Sequence, residues 1–342
     1  MRNKILIIGG HGHVGSVITK TLARRYEDRL VLAGRDLGRL EVFKEQSGLS
    51  VELMAFDIQQ PAKKKQFENI SLVVVCIDQQ RVDFALFCQK MGIDYVDVSA
   101  NAAFYHKLAA ETIESETGLV YSVGIAPGIT NLMAAKLMKE LADFDEMSIK
   151  VILGLADQHG EAAIDWTLAH LSDRYPLKNQ LELVQAFGEK SSFEFNRKKT
   201  PVYSFNFSDQ HSLRDRWPSK NIKTYLGFDV KWVTQFFHGL QRLNLLTLLA
   251  RPKVNQMAKR LMSKGVLGTD VFYVQVTATE ESGKKVQLTV TGHNEAFVTG
   301  KVAAFVVEKV YQSKVKGFVQ IEDICDFDEV LEAIPELTLI SD

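Results

Sequence analysis

Up to Val123 the chain alternates between two hydrophobic rhythms. Short runs rich in β-branched residues are almost continuously apolar: Ile5–Ile8, Leu30–Ala33, Val51–Phe56, Leu72–Ile77, Tyr95–Val98 and Leu119–Val123. Runs of this kind suit parallel strands covered on both faces. Between them, apolar residues recur at helical spacing. Val14, Val17, Ile18 and Leu22 share one face, as do Phe84, Phe87, Cys88 and Met91, with Gly92 placed as a C-cap. Strand–helix–strand alternation with connections this short predicts right-handed crossovers and a doubly wound parallel sheet.

The pattern changes after Pro127-Gly128. Ile129–Leu141 has helical spacing, with Thr130 or Asn131 able to cap it. Beyond about Glu146 the strand signals alternate apolar with polar. Val271–Thr279 and Val286–Thr291 flank Glu281-Ser-Gly-Lys284, which predicts an antiparallel hairpin, and Pro201–Phe207 alternates likewise. Phe297–Tyr311 is helical again and is expected to pack back on the first domain. The division expected is therefore 1–128, with about 297–342 returning to it, and 129–296 as a second α+β domain on an antiparallel sheet. Within 209–265, Trp232, Phe236, Phe237, Leu240 and Leu243 form an apolar helical stripe. Core is the favoured assignment for that stripe, and a dimer interface is the alternative.

Composition narrows the class. Of 342 residues 46% are hydrophobic and 24% charged, which is globular composition with enough apolar residues for two cores. A net charge of −1 gives no overall basic field toward nucleic acid or an anionic membrane, and neither is expected as a partner. Runs such as Leu72–Ile77 are too short to span a bilayer, and the first residues lack a signal-peptide pattern, so a cytoplasmic protein is expected. Cys76, Cys88 and Cys325 lie far apart, which makes neither a disulfide framework nor a metal site. Cys76 sits in an apolar run as a small hydrophobe rather than a nucleophile.

Gly10-His11-Gly12-His13-Val14-Gly15 follows the first strand and opens the first helix. In a β-α-β series this is the dinucleotide fingerprint of a Rossmann domain. Gly10 is assigned to the tight turn, Gly12 to close approach of the pyrophosphate and Gly15 to helix–strand packing, with the helix N-terminus facing the anion. His11 and His13 face the pyrophosphate rather than the nicotinamide. The second strand ends Ala33-Gly34-Arg35-Asp36. Arg35 suits the 2′-phosphate of NADP, with Arg39 one turn further on. Asp36 is the contrary signal, because an acid about 20 residues beyond the glycines suits the ribose 2′-OH of NAD. NADP is favoured and NAD is the alternative. Asp57 closes the third strand as an adenine neighbour or a strand-end cap. Cys76, Pro127 and Gly128 complete the expected cofactor contacts.

Several stretches resemble the saccharopine dehydrogenase family. Val31-Leu-Ala-Gly-Arg35 is similar to its second strand, and Gly92-Ile-Asp-Tyr-Val-Asp97-Val-Ser99 to its G-x-x-Y-V-D-x-S segment. Val123-Gly124-Ile-Ala-Pro127-Gly128-Ile-Thr-Asn131-Leu-Met-Ala134 resembles its proline–glycine turn out of the first domain. Thr299–Ala304, Gly317-Phe-Val and Glu322 resemble its closing helix and tail, without the tail's proline. The resemblance implies hydride transfer between nicotinamide and a secondary amine or imine carbon, with no metal. It also marks a departure. Where saccharopine reductases carry two acids at the turn, this chain has Ser122 and Ala126.

For acid–base work, the C-terminal ends of the parallel strands place Asp78, Ser99 and Asn101 in the crevice, with Asp97 one step earlier as a structural partner. Tyr105 and His106 follow. His159, Asp165, Trp166 and His170 come from the next domain, His159 as a helix cap and His170 as a catalytic candidate. Arg174, Arg214 and Arg216 are candidate carboxylate binders. The expected function is an NADP-dependent dehydrogenase or reductase of a small-molecule C–N substrate, working as a homodimer through the second sheet. The alternatives are a non-catalytic NADP-binding sensor or scaffold, and a reductase of a ketone or lipid-like substrate.

Overall fold

The computed structural model describes residues 2–112, 115–141, 143–157, 161–178, 182–246, 256 and 268–340. The chain forms two compact units: Met1–Ile129 with Thr299–Ala333, and Thr130–Val298 with Ile334–Asp342.

In the first unit, β1 (Lys4–Ile8), β2 (Leu30–Gly34), β3 (Glu52–Ala55), β4 (Ile70–Val75), β5 (Asp94–Asp97) and β6 (Gly118–Tyr121) alternate with α1 (His13–Tyr26), α2 (Leu37–Ser47), α3 (Asp83–Met91) and α4 (Ala102–Glu111). A late strand, β15 (Gly317–Gln320), completes a seven-stranded sheet of order β15-β6-β5-β4-β1-β2-β3. Every pairing is parallel. The order reverses between β1 and β4, which is the topological switch point where open α/β sheets bind nucleotides. The apolar runs are there because both faces are covered. All five residues of β2 are buried, as are Ile5–Ile8 and Leu72–Val75. Phe56, Phe67, Phe84 and Phe87 stack together on one side, with centroids 5.1–6.1 Å apart, fixing α3 to the sheet. Full burial of each such ring is worth about 2–3 kcal/mol. From Thr299 onward α9 (Glu295–Gln312) belongs to this unit, and Tyr311 packs edge-on against Tyr26 of α1 at 5.2 Å. α10 (Phe327–Ala333) follows β15.

The second unit starts with α5 (Thr130–Glu140), β7 (Glu146–Leu153) and α6 (Glu161–His170). A small ribbon of β8 (Arg174–Tyr175) and β9 (Val184–Gln185) precedes β10 (Lys190–Phe195), β11 (Lys198–Ser204), α7 (Asp209–Arg216), β12 (Asn221–Phe228) and α8 (Lys231–Arg242). β13 (Val271–Thr279) and β14 (Lys285–His293) form a hairpin, and β16 (Thr338–Ile340) closes the sheet, whose order is β10-β11-β12-β7-β13-β14-β16.

Three expectations are corrected here. The sheet is mixed rather than antiparallel, because β12 runs parallel to β7 from Asn221↔Glu146 to Phe228↔Leu153. The last residues do not stay with the first unit. β16 pairs with β14 through Thr338↔Thr291 and covers an otherwise open edge. The stripe on α8 is not core throughout. Val233, Thr234 and Phe237 are buried, but Trp232, Phe236 and Leu243 are exposed. Thr234 secures the inner face by accepting a 2.8 Å hydrogen bond at Oγ1 from the Phe228 amide.

Candidate cofactor site

The loop between β1 and α1 is tight for reasons its glycines explain. Gly9 has φ +78°, so the left-handed turn falls here and not at Gly10, where the sequence placed it. The Gly12 amide then donates to Gly9 O at 2.9 Å. A Cβ on Gly15 would stand 2.2 Å from Gly9 O, so α1 packs against the loop only because that position has no side chain. Thr19 pins the arrangement from inside the helix, donating from Oγ1 to Gly10 O at 2.9 Å. α1 starts at His13 after Gly12, with no side-chain cap and no acid in its first turn. Its positive end is left to an external anion.

The tip of β2 lies beside this loop. His11 Cε1 lies against Gly34, at 3.3 Å from where a Cβ would stand. Burial, and then the nearby Arg39, push the His11 pKa below its usual value against the opposing pull of Asp36. The ring is therefore neutral near pH 7, and its buried Nδ1 has no partner among the described residues. Asp36 is otherwise engaged. It caps α2, Oδ1 accepting from the Arg39 amide at 3.2 Å, and pairs with the Arg39 guanidinium at 3.6 Å. Arg35 is exposed at the strand end and makes no hydrogen bond or ion pair among the described residues. An orphaned imidazole nitrogen, a loop closed to any Cβ, an uncapped helix and an exposed guanidinium fit a dinucleotide. Asp57, in contrast, closes a turn by accepting from the Gln59 amide at 3.0 Å. Cys76 hydrogen-bonds through its backbone to Ile8 O at 3.0 Å, and burial pushes its thiol pKa far up, so it stays protonated.

At the ends of β4, β5 and β6 lies a polar network that sequence reading resolved only in part. Asp97 is fully buried. Its carboxylate accepts from Tyr95 Oη at 2.6 Å, Gln79 Nε2 at 2.6 Å and the Ser99 amide at 2.7 Å. Burial raises its pKa to about 6 despite those donors. Asn101 caps α4 and donates from Nδ2 to Asp78 at 3.1 Å, while Tyr121 Oη donates to Asn101 O at 2.9 Å. Ser99 Oγ lies 3.3 Å from Tyr121 Oη. The structure thus joins the candidates Asp78 and Ser99 through Asn101 and Tyr121. Gln79 and Tyr95 were missed, since neither residue type signals chemistry by itself. Pro127 and Gly128 are buried in an irregular turn, Gly128 at φ +132°. Ser122 is fully buried at φ +65°, and its Oγ has no partner among the described residues.

His170 belongs to a separate cluster in the second unit. Its ring stacks on Trp166 at 4.4 Å, Nδ1 is 2.7 Å from Trp166 O, and Nε2 is 4.0 Å from Asp173. Burial raises the Asp173 pKa, opposed by His170 and Asn206. His211 faces Asn206 at 2.7 Å, and Trp166 also stacks on Phe207. Arg214 is not a substrate binder. Its buried guanidinium donates to Ile222 O and Asn221 Oδ1 at 2.8 Å each and to Lys178 O. Arg174 is held by Gln185 at 2.8 Å, and Arg216 is exposed. His159 lies outside the described residues.

Residues 5–121 match the family described as the saccharopine dehydrogenase NADP binding domain. No curated protein matches the chain. Among solved structures, it is similar to an apo saccharopine dehydrogenase (L-Glu forming) from Saccharomyces cerevisiae. Identity is 14%, the TM-score is 0.63, and the match covers 99% of this chain and 100% of that one. A myo-inositol dehydrogenase from Corynebacterium glutamicum matches at 9% identity and a TM-score of 0.44, covering 100% of both chains. A mutant meso-DAPDH with DAP from Clostridium tetani matches at 11% and 0.45, covering 96% of each.

Proposed function

We propose that this chain, whose residues 5–121 match the saccharopine dehydrogenase NADP binding domain, is an NADP-preferring oxidoreductase acting at a C–N bond of a small molecule. One observation carries the cofactor choice. Asp36, the acid in position to hold a ribose 2′-OH, is occupied as the cap of α2, while Arg35 beside it is exposed. A planar guanidinium at that point suits a 2′-phosphate through paired hydrogen bonds. The C–N assignment rests on the family resemblance.

The bound nicotinamide supplies the hydride. The chain's own residues do the rest. The glycine loop and the α1 N-terminus would hold the pyrophosphate, with the neutral ring of His11 beside them. Asp97 is a positioning residue. Through Gln79 and the Ser99 amide it fixes the strand ends that carry Asp78 and Ser99, the groups that would serve the reacting end.

A non-catalytic NADP-binding protein is the second reading, and one observation favours it. Both turn positions that carry acids in saccharopine reductases lack them, and Ser122 is sealed from solvent. The test is NADPH oxidation with 2-oxo acids supplied with and without amino acids. Amine-dependent oxidation supports the C–N reading. Oxidation independent of amine contradicts it, and tight NADPH binding with no turnover on any pair favours the second reading.

A further inference from the structure

The second sheet has one face whose polar groups are left incomplete. Side chains alternate along its central strand β7. Met147, Ile149 and Val151 lie on one face and are buried, and Lys150 and Ile152 lie on the other. Register puts Tyr225 of β12 and Gln275 of β13 on either side of Lys150, with Thr289 of β14 beyond Gln275. This face is concave, because the sheet curls on itself. β11, β12 and β7 separate β10 from β13 in the strand order, yet Gln275 Nε2 donates to Glu194 O at 3.0 Å. Phe193 and Phe195 of β10 also meet the Tyr273 ring of β13, each at 5.7 Å. With Ile152, Val202 and Tyr225 these rings make an apolar cluster inside the curl.

Two polar groups in the concavity lack what they need. Lys150 is only partly exposed, and burial lowers its pKa, opposed by Glu194 and reinforced by Lys285. Its Nζ makes no hydrogen bond or ion pair among the described residues, and the Glu194 carboxylate is held instead by Lys199 at 2.7 Å. Gln275 is 1% exposed and spends its amide hydrogens on Glu194 O and Thr289 Oγ1. Its buried Oε1 has no partner among the described residues. A half-buried ammonium without a counter-ion and a buried acceptor without a donor both cost free energy. A single lysine beside an aromatic wall, in a concave site, suits a ligand with one negative charge and an apolar body.

We infer that the concave face of the second sheet binds a small organic carboxylate with an apolar body. Lys150 pairs with the carboxylate, and the partly exposed rings of Phe195 and Tyr273 take the body. Gln275 Oε1 accepts from a donor on the ligand. All of these residues lie in the second unit, and the inference does not depend on the oxidoreductase reading.

The test is an amine-labelling footprint of the full chain. Lys150 acetylation by acetic anhydride is read by peptide mass spectrometry, with rising benzoate, phenylacetate or octanoate and with the corresponding neutral alcohols. Calorimetric titration gives the affinities, and melting temperature and NADPH affinity report that each variant is folded. The expected result is saturable protection of Lys150 by at least one acid and by none of the alcohols. Affinity should fall about tenfold in Lys150→Met and in Tyr273→Ser, and hold in Lys150→Arg, which keeps the charge. Protection by no acid overturns the inference, as does equal protection by the alcohols. Protein that sediments as a dimer, separates to monomer in Lys150→Glu and binds no acid overturns it in favour of a second copy.

Discussion

The Asp36 carboxylate accepts the Arg39 amide at 3.2 Å, so the acid at the tip of β2 is engaged as the cap of α2. Capping the start of α2 commits one of its carboxylate oxygens. Replacing it with Asn preserves the cap and removes a negative charge beside Arg35. Asp36→Asn is expected to bind NADPH about threefold tighter and NADH unchanged, by calorimetric titration. A tenfold loss of NADH affinity would instead assign Asp36 to the ribose. Asp36→Ala should lower stability by about 1 kcal/mol through loss of the cap.

Gly15→Ala tests the loop. The new methyl would stand 2.2 Å from Gly9 O, which is backbone and has no rotamer to escape to. A loss of about 3 kcal/mol and of nucleotide binding together is expected, read by thermal unfolding and by NADPH fluorescence. Unchanged binding would mean the loop does not need its observed closure.

Much of this was open to sequence reading, and the failures have physical causes. The parallel strands read correctly because burial on both faces leaves only apolar residues, as in Leu30–Ala33. Gly15 was legible because its close contacts leave room only for glycine, while the left-handed turn was assigned one residue late, to Gly10 instead of Gly9. Asp36 was ambiguous because an N-cap and a ribose ligand draw on the same residue type. The β7–β12 pairing was not legible, since nothing in Glu146–Leu153 names a partner seventy residues on. On α8, periodicity identified the apolar positions but not what each of its two faces meets.

Asp97 makes stability depend on pH. Its folded pKa is raised from 3.8 to about 6, so between these values the folded chain holds a proton the unfolded chain has released. Its contribution to stability is therefore fully present below about pH 4, declines as pH rises, and is lost above about pH 6, a swing on the order of 3 kcal/mol. Asp97→Asn should flatten that part of the profile relative to wild type, measured as melting temperature from pH 4 to 8. Parallel profiles would show that the carboxyl titrates normally.

Arg214→Ala removes the donor from Ile222 O and Asn221 Oδ1 inside the second unit. A destabilisation on the order of 3 kcal/mol is expected with NADPH affinity intact. An unchanged melting temperature with a raised KM for a carboxylate substrate would restore Arg214 as a substrate binder.

The central claim is that Arg35 reads a 2′-phosphate at the end of β2, and titration of wild type and Arg35→Ala with NADPH and NADH tests it most directly. The account predicts that wild type binds NADPH at least tenfold tighter than NADH, and that Arg35→Ala loses this preference while its NADH affinity holds. Equal loss of both cofactors, or a wild type that prefers NADH, would contradict it.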